Sequence, residues 1–276
     1  MSGKNRTTGL EARMRAYEAV SKTTLVRRTP VIIRIDGRAF HTFTSGFQKP
    51  FDRVLMQAMQ DTMKSLAENI EGCKFGYTQS DEITLVLTDY ETIKTGAWFD
   101  YEVEKMVSIS ASMATLYFNR AFAKRVDEYA QQVGDDEKAK RQLSVYKFAM
   151  GVGAMFDSRA FSVPKDDVCN NIIFRQQDAT RNSIEMVGQA YFSQSELNGV
   201  NTDKIQDMLF TQKGVNWNDF PTDCKRGSCT YRVHMEKSVP NPRNPAEMVT
   251  VSRNPWILDT EPPIFARDRN FIEKYL

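Results

Sequence analysis

The chain has few thiols and almost no imidazole to offer. Four cysteines, Cys73, Cys169, Cys224 and Cys229, are scattered over 276 residues, too sparse for a disulfide framework. Cys224 and Cys229 bracket four residues, but one pair and two histidines in the whole chain do not complete a tetrahedral zinc site. The thiols read as buried or idle. No apolar run approaches the roughly 18–20 residues that span a bilayer. The polar start Met1-Ser2-Gly3-Lys4-Asn5-Arg6 lacks the apolar centre of a secretory signal, so the expected compartment is the cytoplasm. Charge of one sign is missing too. With 37 basic and 35 acidic residues the net charge is +2, so any nucleic-acid surface has to come from local patches. There is no internal repeat and no low-complexity tract.

What is present is acid at strand ends. Val31-Ile32-Ile33-Arg34-Ile35-Asp36-Gly37 reads as an inner strand ending in Asp-Gly. Forty-five residues later, Gln79-Ser80-Asp81 reads as a tight turn between strands at 73–78 and 82–88. Helices are expected at 8–22, opened by a Thr8–Glu11 capping box, from Asp52 to about 69, and at 99–125. The small residues Ser108, Ser110, Ala111, Ser112 and Ala114 suit close approach of the third helix to a sheet. The order helix–β–helix–β–β–helix fits a split βαβ. The fold class is α+β, with a polymerase-palm-like (ferredoxin-like) antiparallel sheet flanked by helices and a mixed C-terminal extension. Residues 1–135 form the palm in this reading, and 136–276 pack on it. The charged stretch 134–141 reads as an exposed loop, 154–163 as a strand, 165–192 and 201–212 as helices. Strands at 230–235 and 248–251 follow, separated by proline turns.

Two carboxylates at strand ends can hold two magnesium ions over a triphosphate, because magnesium takes hard oxygen ligands and keeps several waters. Asp36 and Asp81 supply the carboxylates. Gly37 could add a carbonyl, and the amides of Arg38, Ala39, Phe40 and His41 could cradle phosphate, with Arg38 and Lys49 adding charge. Turn chemistry accounts for Asp36-Gly37 and Ser80 equally well. Glu82 could point away from Asp81 as a supporting acid. The aromatics Phe40, Phe43, Phe47 and Phe51 read as core filling before a base sandwich. Arg175, Arg181, Lys225, Arg226 and Arg232 are candidate RNA-backbone contacts, or simply solvated charge.

Arg34-Ile35-Asp36-Gly37-Arg38-Ala39-Phe40-His41 and Tyr77-Thr78-Gln79-Ser80-Asp81-Glu82 resemble the two signature motifs of the tRNA-histidine guanylyltransferase superfamily. Phe47-Gln48-Lys49-Pro50-Phe51-Asp52, Phe156-Asp157-Ser158-Arg159, Phe174-Arg175-Gln176-Gln177-Asp178-Ala179, the stretch 209–217 and Lys225-Arg226-Gly227 resemble further blocks. The resemblance implies a 3′-to-5′ nucleotidyltransferase that uses ATP, GTP and other nucleoside triphosphates on the 5′ end of tRNA, usually as a tetramer (a dimer of dimers). It implies Asp36, Gly37 and Asp81 as ligands of two magnesium ions, and Asp36, Asp81 and Glu82 as the catalytic acids. Residues 36–41 with Lys49, Ser80, Asp81 and Lys105 match nucleotide-binding positions. Thr180-Arg181-Asn182-Ser183 stands where eukaryotic members carry His-Ile-Asn-Asn, with only Asn182 kept. That resembles the bacterial and archaeal branch, which favours templated repair of 5′-truncated tRNA over single guanosine addition to histidine tRNA. Asp100-Tyr101-Glu102 stands upstream of Lys105 where an arginine is expected. The rivals from other classes are a nucleotide cyclase, which needs no RNA, and an RNA-binding protein that merely retains the palm.

Overall fold

The computed structural model describes residues 9–241 and 244–276; Thr8 of the expected capping box and Pro242 lie outside them. The helices are α1 (Gly9–Ala19), α2 (Phe40–Phe43), α3 (Arg53–Asn69), α4 (Val103–Gln132), α5 (Glu137–Val152), α6 (Lys165–Tyr191), α7 (Gln194–Leu197), α8 (Thr202–Lys213), α9 (Thr222–Arg226) and α10 (Asn270–Glu273). The strands are β1 (Val31–Gly37), β2 (Cys73–Gln79), β3 (Glu82–Leu87), β4 (Phe156–Ser162), β5 (Ser228–Arg232), β6 (Met235–Asn241), β7 (Asn244–Arg253) and β8 (Trp256–Asp259).

One antiparallel sheet organises the molecule, in the order β4-β1-β3-β2-β5-β8. Strands from both sides of residue 135 share it. Alternation sorts the side chains of β1. Val31, Ile33 and Ile35 face one core, with Met59, Met63 and Leu66 of α3 and Phe118 and Phe122 of α4. Ile32 faces the other, with Phe75, Tyr77 and Val86, against Val168 and Ile172 of α6 and the C-terminal Phe265 and Ile272. Helices thus cover both faces, which is why β1 reads as a continuous apolar run. A third cluster joins Ile184 and Val187 of α6 to Ile205 and Leu209 of α8 and to Trp217.

Several expectations shift. Of residues 134–141 only 134–136 are loop: α4 runs on to Gln132, and from Glu137 the chain is already α5, capped by Asp136, which accepts from Lys138 N at 3.0 Å. Residues 99–101 are not helix; Phe99, Asp100 and Tyr101 have φ of 51°, 51° and 58°, a left-handed turn before α4. Helix α1 forms where expected, but its helically spaced apolar residues Leu10, Met14 and Tyr17 are exposed, because α1 buries none of its residues. Of the small residues of α4, Ser110 and Ala114 are buried; Ser110 Oγ meets Ser158 Oγ of β4 at 2.7 Å. Ser108 and Ser112 instead bond back to their own helix. Strands β6 and β8 were not anticipated, and β6 and β7 pair as a separate ribbon.

Candidate active site

The β2–β3 hairpin brings the two acidic segments together. Ser80 takes φ 50° at its tip, and Asp36 is the cross-strand partner of Glu82. The hairpin tip is then tied to the end of β1, because Gly37 N donates to Asp81 O at 3.1 Å. Burial first, and then the charge of Asp36, push the Asp81 carboxyl above its ordinary pKa, while a bond from Ser80 Oγ opposes them. Two carboxylates beside a backbone carbonyl suit a hard, partly hydrated divalent cation. Oxygen donors without Cys or His suit magnesium better than zinc; among the described residues no cluster of three or more His, Cys, Asp or Glu is placed to hold an ion.

Glu82 behaves differently from its neighbour. It is 5% exposed, and Arg34 Nε and Nη2 each reach its Oε2 at 2.8 Å. Arg175 Nε of α6 approaches Oε1 at 3.0 Å without the direction of a hydrogen bond, so that attraction is chiefly coulombic. Burial still raises the Glu82 pKa against the pull of both arginines. Arg34 Nη2 is also 3.8 Å from Asp36 Oδ2. Sequence reasoning assigned Arg34 no role. The signal was there: two residues before Asp36, it shares that residue's face of the strand.

A cleft of about 520 Å³ opens beside the hairpin, lined among others by Gly37, Ala39, Phe40, His41, Lys49, Ser80 and Asp81. Seven of the ten expected nucleotide positions therefore share one cavity, of a size usual for small-molecule sites. Ala39, at φ 53°, opens the single turn α2. Arg38, Asp36 and Lys105 do not line the cleft. The Arg38 amide donates to Met155 O at 2.9 Å, so it is not part of a phosphate cradle, and the side chain lines a separate apolar groove with Phe148 and Met155. Lys105 is exposed on α4 and pairs with Glu102 at 3.3 Å. Glycine at 37 also has a steric cause: a Cβ there would sit 2.2 Å from the Phe40 ring. Phe40, Phe43 and Phe47 pack with Phe118 and Phe122, as core, while Phe51 pairs with Phe220 elsewhere.

Asp52 is a further organiser that sequence reasoning saw only as a helix start. Its carboxylate, 5% exposed, accepts from Leu55 N at 3.0 Å, Gln48 N at 2.9 Å and Tyr146 Oη at 2.7 Å. It fastens the Gln48–Lys49 wall of the cleft to α3 and α5. Of the expected RNA contacts, Arg181 is exposed on α6 and pairs with Asp178, while Lys225 and Arg226 lie on α9, which meets α6 where Ser183 Oγ reaches Lys225 O at 3.4 Å. Asn182 lines a small cavity that also touches Ser80. Arg232 stacks on Trp256. Arg175 is the exception: it is 7% exposed and held by Glu82 and Asp178, which removes it from the surface an RNA backbone could reach.

The profile of the tRNAHis guanylyltransferase family matches residues 11–164. A bacterial tRNA(His) guanylyltransferase-like protein solved in complex with ATP is 39% identical, with a TM-score of 0.77, covering 97% of this chain and 98% of that one. One solved with GTP is 37% identical, with a TM-score of 0.75 over 96% and 98% of the two chains. The probable tRNA(His) guanylyltransferase of Dictyostelium discoideum is 24% identical over 229 residues, 78% of this chain and 79% of its own length. The motifs, the palm-like sheet and these likenesses agree: the chain belongs to the tRNAHis guanylyltransferase family and is a nucleotidyltransferase.

Proposed function

We propose that the protein is a template-dependent 3′-to-5′ nucleotidyltransferase that repairs the 5′ end of truncated tRNA. The observation that carries this reading is the cleft in which Gly37, Ala39, Phe40, His41, Lys49, Ser80 and Asp81 converge beside paired acids. That relatives were solved with ATP and with GTP supports nucleoside triphosphates as ligands of this cleft. The departure at Thr180-Arg181-Asn182-Ser183, next to the cavity that touches Ser80, favours repair over non-templated guanosine addition.

In this reading ATP first adenylylates a 5′-monophosphate, with loss of pyrophosphate. The 3′-hydroxyl of an incoming nucleoside triphosphate then attacks that end and AMP leaves. A 5′-triphosphorylated RNA loses pyrophosphate directly. The protein's part is positioning and charge. Lys49 and the first amides of α2 face the phosphates, and Phe40 and Phe47 back the cleft with a rigid aromatic wall. Arg181, Lys225 and Arg226 offer charge to the RNA backbone. Asp36, Asp81 and the Gly37 carbonyl would hold magnesium, two ions in all. When bound, that metal neutralises phosphate oxygens and makes the attacking hydroxyl more acidic. Lys105 serves a second nucleotide, and a cytoplasmic homotetramer completes the reading.

The test is extension of a 5′-end-labelled truncated tRNA and of intact histidine tRNA, with each triphosphate supplied alone. Addition that follows the templating base supports repair. Guanosine addition regardless of the opposing base would replace it with the histidine-tRNA activity. A cyclic nucleotide formed from ATP or GTP without RNA would overturn both.

A further inference from the structure

Six charged side chains form a line of alternating sign from the sheet to helix α6. Asp36 Oδ2 is 3.8 Å from Arg34 Nη2, and Arg34 holds Glu82 Oε2 at 2.8 Å through two nitrogens. The other oxygen of Glu82 lies 3.0 Å from Arg175 Nε, and Arg175 Nη2 donates to Asp178 Oδ2 at 2.5 Å. Asp178 in turn pairs with Arg181 on the exposed side of the helix. Three arginines and three carboxylates balance, and the central pair is almost wholly buried.

Buried pairs of this kind seldom add net stability, since desolvation offsets most of the attraction. What they fix well is geometry, because the guanidinium fork has a rigid plane and set directions. Asp36 and Glu82 are cross-strand neighbours on the face that meets α6, so Glu82 and Arg34 form the floor beside Asp36. Both oxygens of Glu82 are engaged, which leaves it no free face toward a substrate. Arg175 is the one link that enters this floor from outside the sheet, and its own head is anchored by Asp178.

We propose that Arg175 is a positioning residue for nucleotide transfer, acting through Glu82 and Arg34 on the carboxylate of Asp36, and not a contact to RNA phosphate. This inference rests on the nucleotidyl-transfer reading above. Without Arg175, Glu82 keeps Arg34 and a 3.5 Å bond from Thr84 Oγ1 but loses its anchor on α6, so the Arg34 guanidinium beside Asp36 is held less firmly. A displacement on the order of 1 Å at a reacting centre can cost about 100-fold in rate.

The experiment compares Arg175→Met, Arg175→Lys and Arg125→Met by steady-state extension and by thermal melting in chelating buffer. Arg175→Met is expected to lower kcat about 100-fold with KM for nucleotide and RNA changed less than about threefold. Arg175→Lys should recover only part, because an ammonium cannot replace the fork. Arg125→Met removes a guanidinium from Asp61 and Glu128 on α4 and controls for plain loss of ion pairs; its kcat should stay at the wild-type value. An RNA-phosphate role predicts the opposite pattern: a raised KM for RNA, a shallower salt dependence and an unchanged kcat. That pattern, or a folded Arg175→Met variant with kcat within about threefold of wild type, overturns the proposal. If Arg175→Met does not fold, Asp178→Asn, which unfastens Arg175 in place, is read by the same criteria. A second readout needs no activity. The melting shifts of Arg175→Met and Asp36→Asn should fail to add in the double variant, and strict additivity counts against the link. Should wild-type protein extend no RNA at all, the functional reading fails, and the melting cycle alone judges the positional one.

Discussion

Replacing Tyr146 by phenylalanine isolates one bond of the Asp52 hub. The ring stays in its place, edge-on to Phe47 at 5.1 Å and to Tyr129 at 5.2 Å, so packing is kept. Only the hydroxyl goes, and with it the 2.7 Å bond to Asp52 Oδ2. Burial, and then the bond to Asp52, raise the Tyr146 pKa, so this hydroxyl keeps its proton and is a donor at any physiological pH. Asp52 is left buried and charged with two donors instead of three. A hydrogen bond to a charged group is worth about 1.5–3 kcal/mol. At about 2–4 °C per kcal/mol for chains of this size, Tm should fall by about 3–12 °C. The same bond steadies Gln48, whose amide shares Oδ2, and Lys49 beside it on the cleft wall. The KM for nucleoside triphosphate should therefore rise several-fold. Melting followed by circular dichroism and steady-state extension measure the two effects. A Tm shift under about 1 °C with unchanged KM would refute the reasoning, since Asp52 would then be satisfied without Tyr146.

Two further outcomes follow from the site. Asp81 has its folded pKa raised above its ordinary value of 3.8, first by burial and then by Asp36. Below that ordinary value the carboxyl is protonated in both states and contributes nothing; as pH rises from it to the raised value the unfolded chain ionises first, and the cost to the folded state builds up to its full size above the raised value. Asp81→Asn should thus raise Tm at pH 7 in chelating buffer and abolish transfer. Its advantage should vanish as pH falls below about 3.9, and a lower Tm at pH 7 would contradict the assignment. Gly227 has φ +74°, and a Cβ there would lie 2.4 Å from the Thr78 carbonyl oxygen. Gly227→Ala combines backbone strain with overpacking, each about 1–3 kcal/mol, so urea unfolding should show a loss of about 2–6 kcal/mol. A loss under about 1 kcal/mol would show that the turn relaxes freely.

The parts of the molecule governed by local pattern were legible beforehand. A short apolar run, β-prone stretches and turn residues placed β1, the β2–β3 hairpin and thus the meeting of Asp36 with the Ser80–Glu82 turn. Long periodic stretches placed α3 and α6 within a residue or so, while α4 was expected over 99–125 and runs from 103 to 132. Elements set by contacts distant in the chain were not legible. Helix α5 hid behind a charged opening turn, because Asp136 caps it while its first residues face solvent. Strand β8 is only Trp256–Asp259, and its membership comes from pairing with β5. Arg175 looked like a surface charge because nothing along the chain shows that Glu82, 93 residues away, meets it. The helical spacing of Leu10, Met14 and Tyr17 did place α1, although none of its described residues is buried.

The register of β1 against β3 carries a consequence for error. Six consecutive pairs run from Val31 with Leu87 to Asp36 with Glu82, and the Gly37 amide closes the run on Asp81. A slip by one residue would turn every side chain of β1 to the opposite face. Asp36 would enter the apolar layer now filled by Ile33 and Ile35, and an isoleucine would replace it beside Glu82. Arg34 would follow it into that layer, and the cost of burying both charges there falls on the same event that would dismantle the site. Misfolded copies are therefore discarded by their own instability before they can act as faulty enzymes, and stability here doubles as proofreading of the active centre.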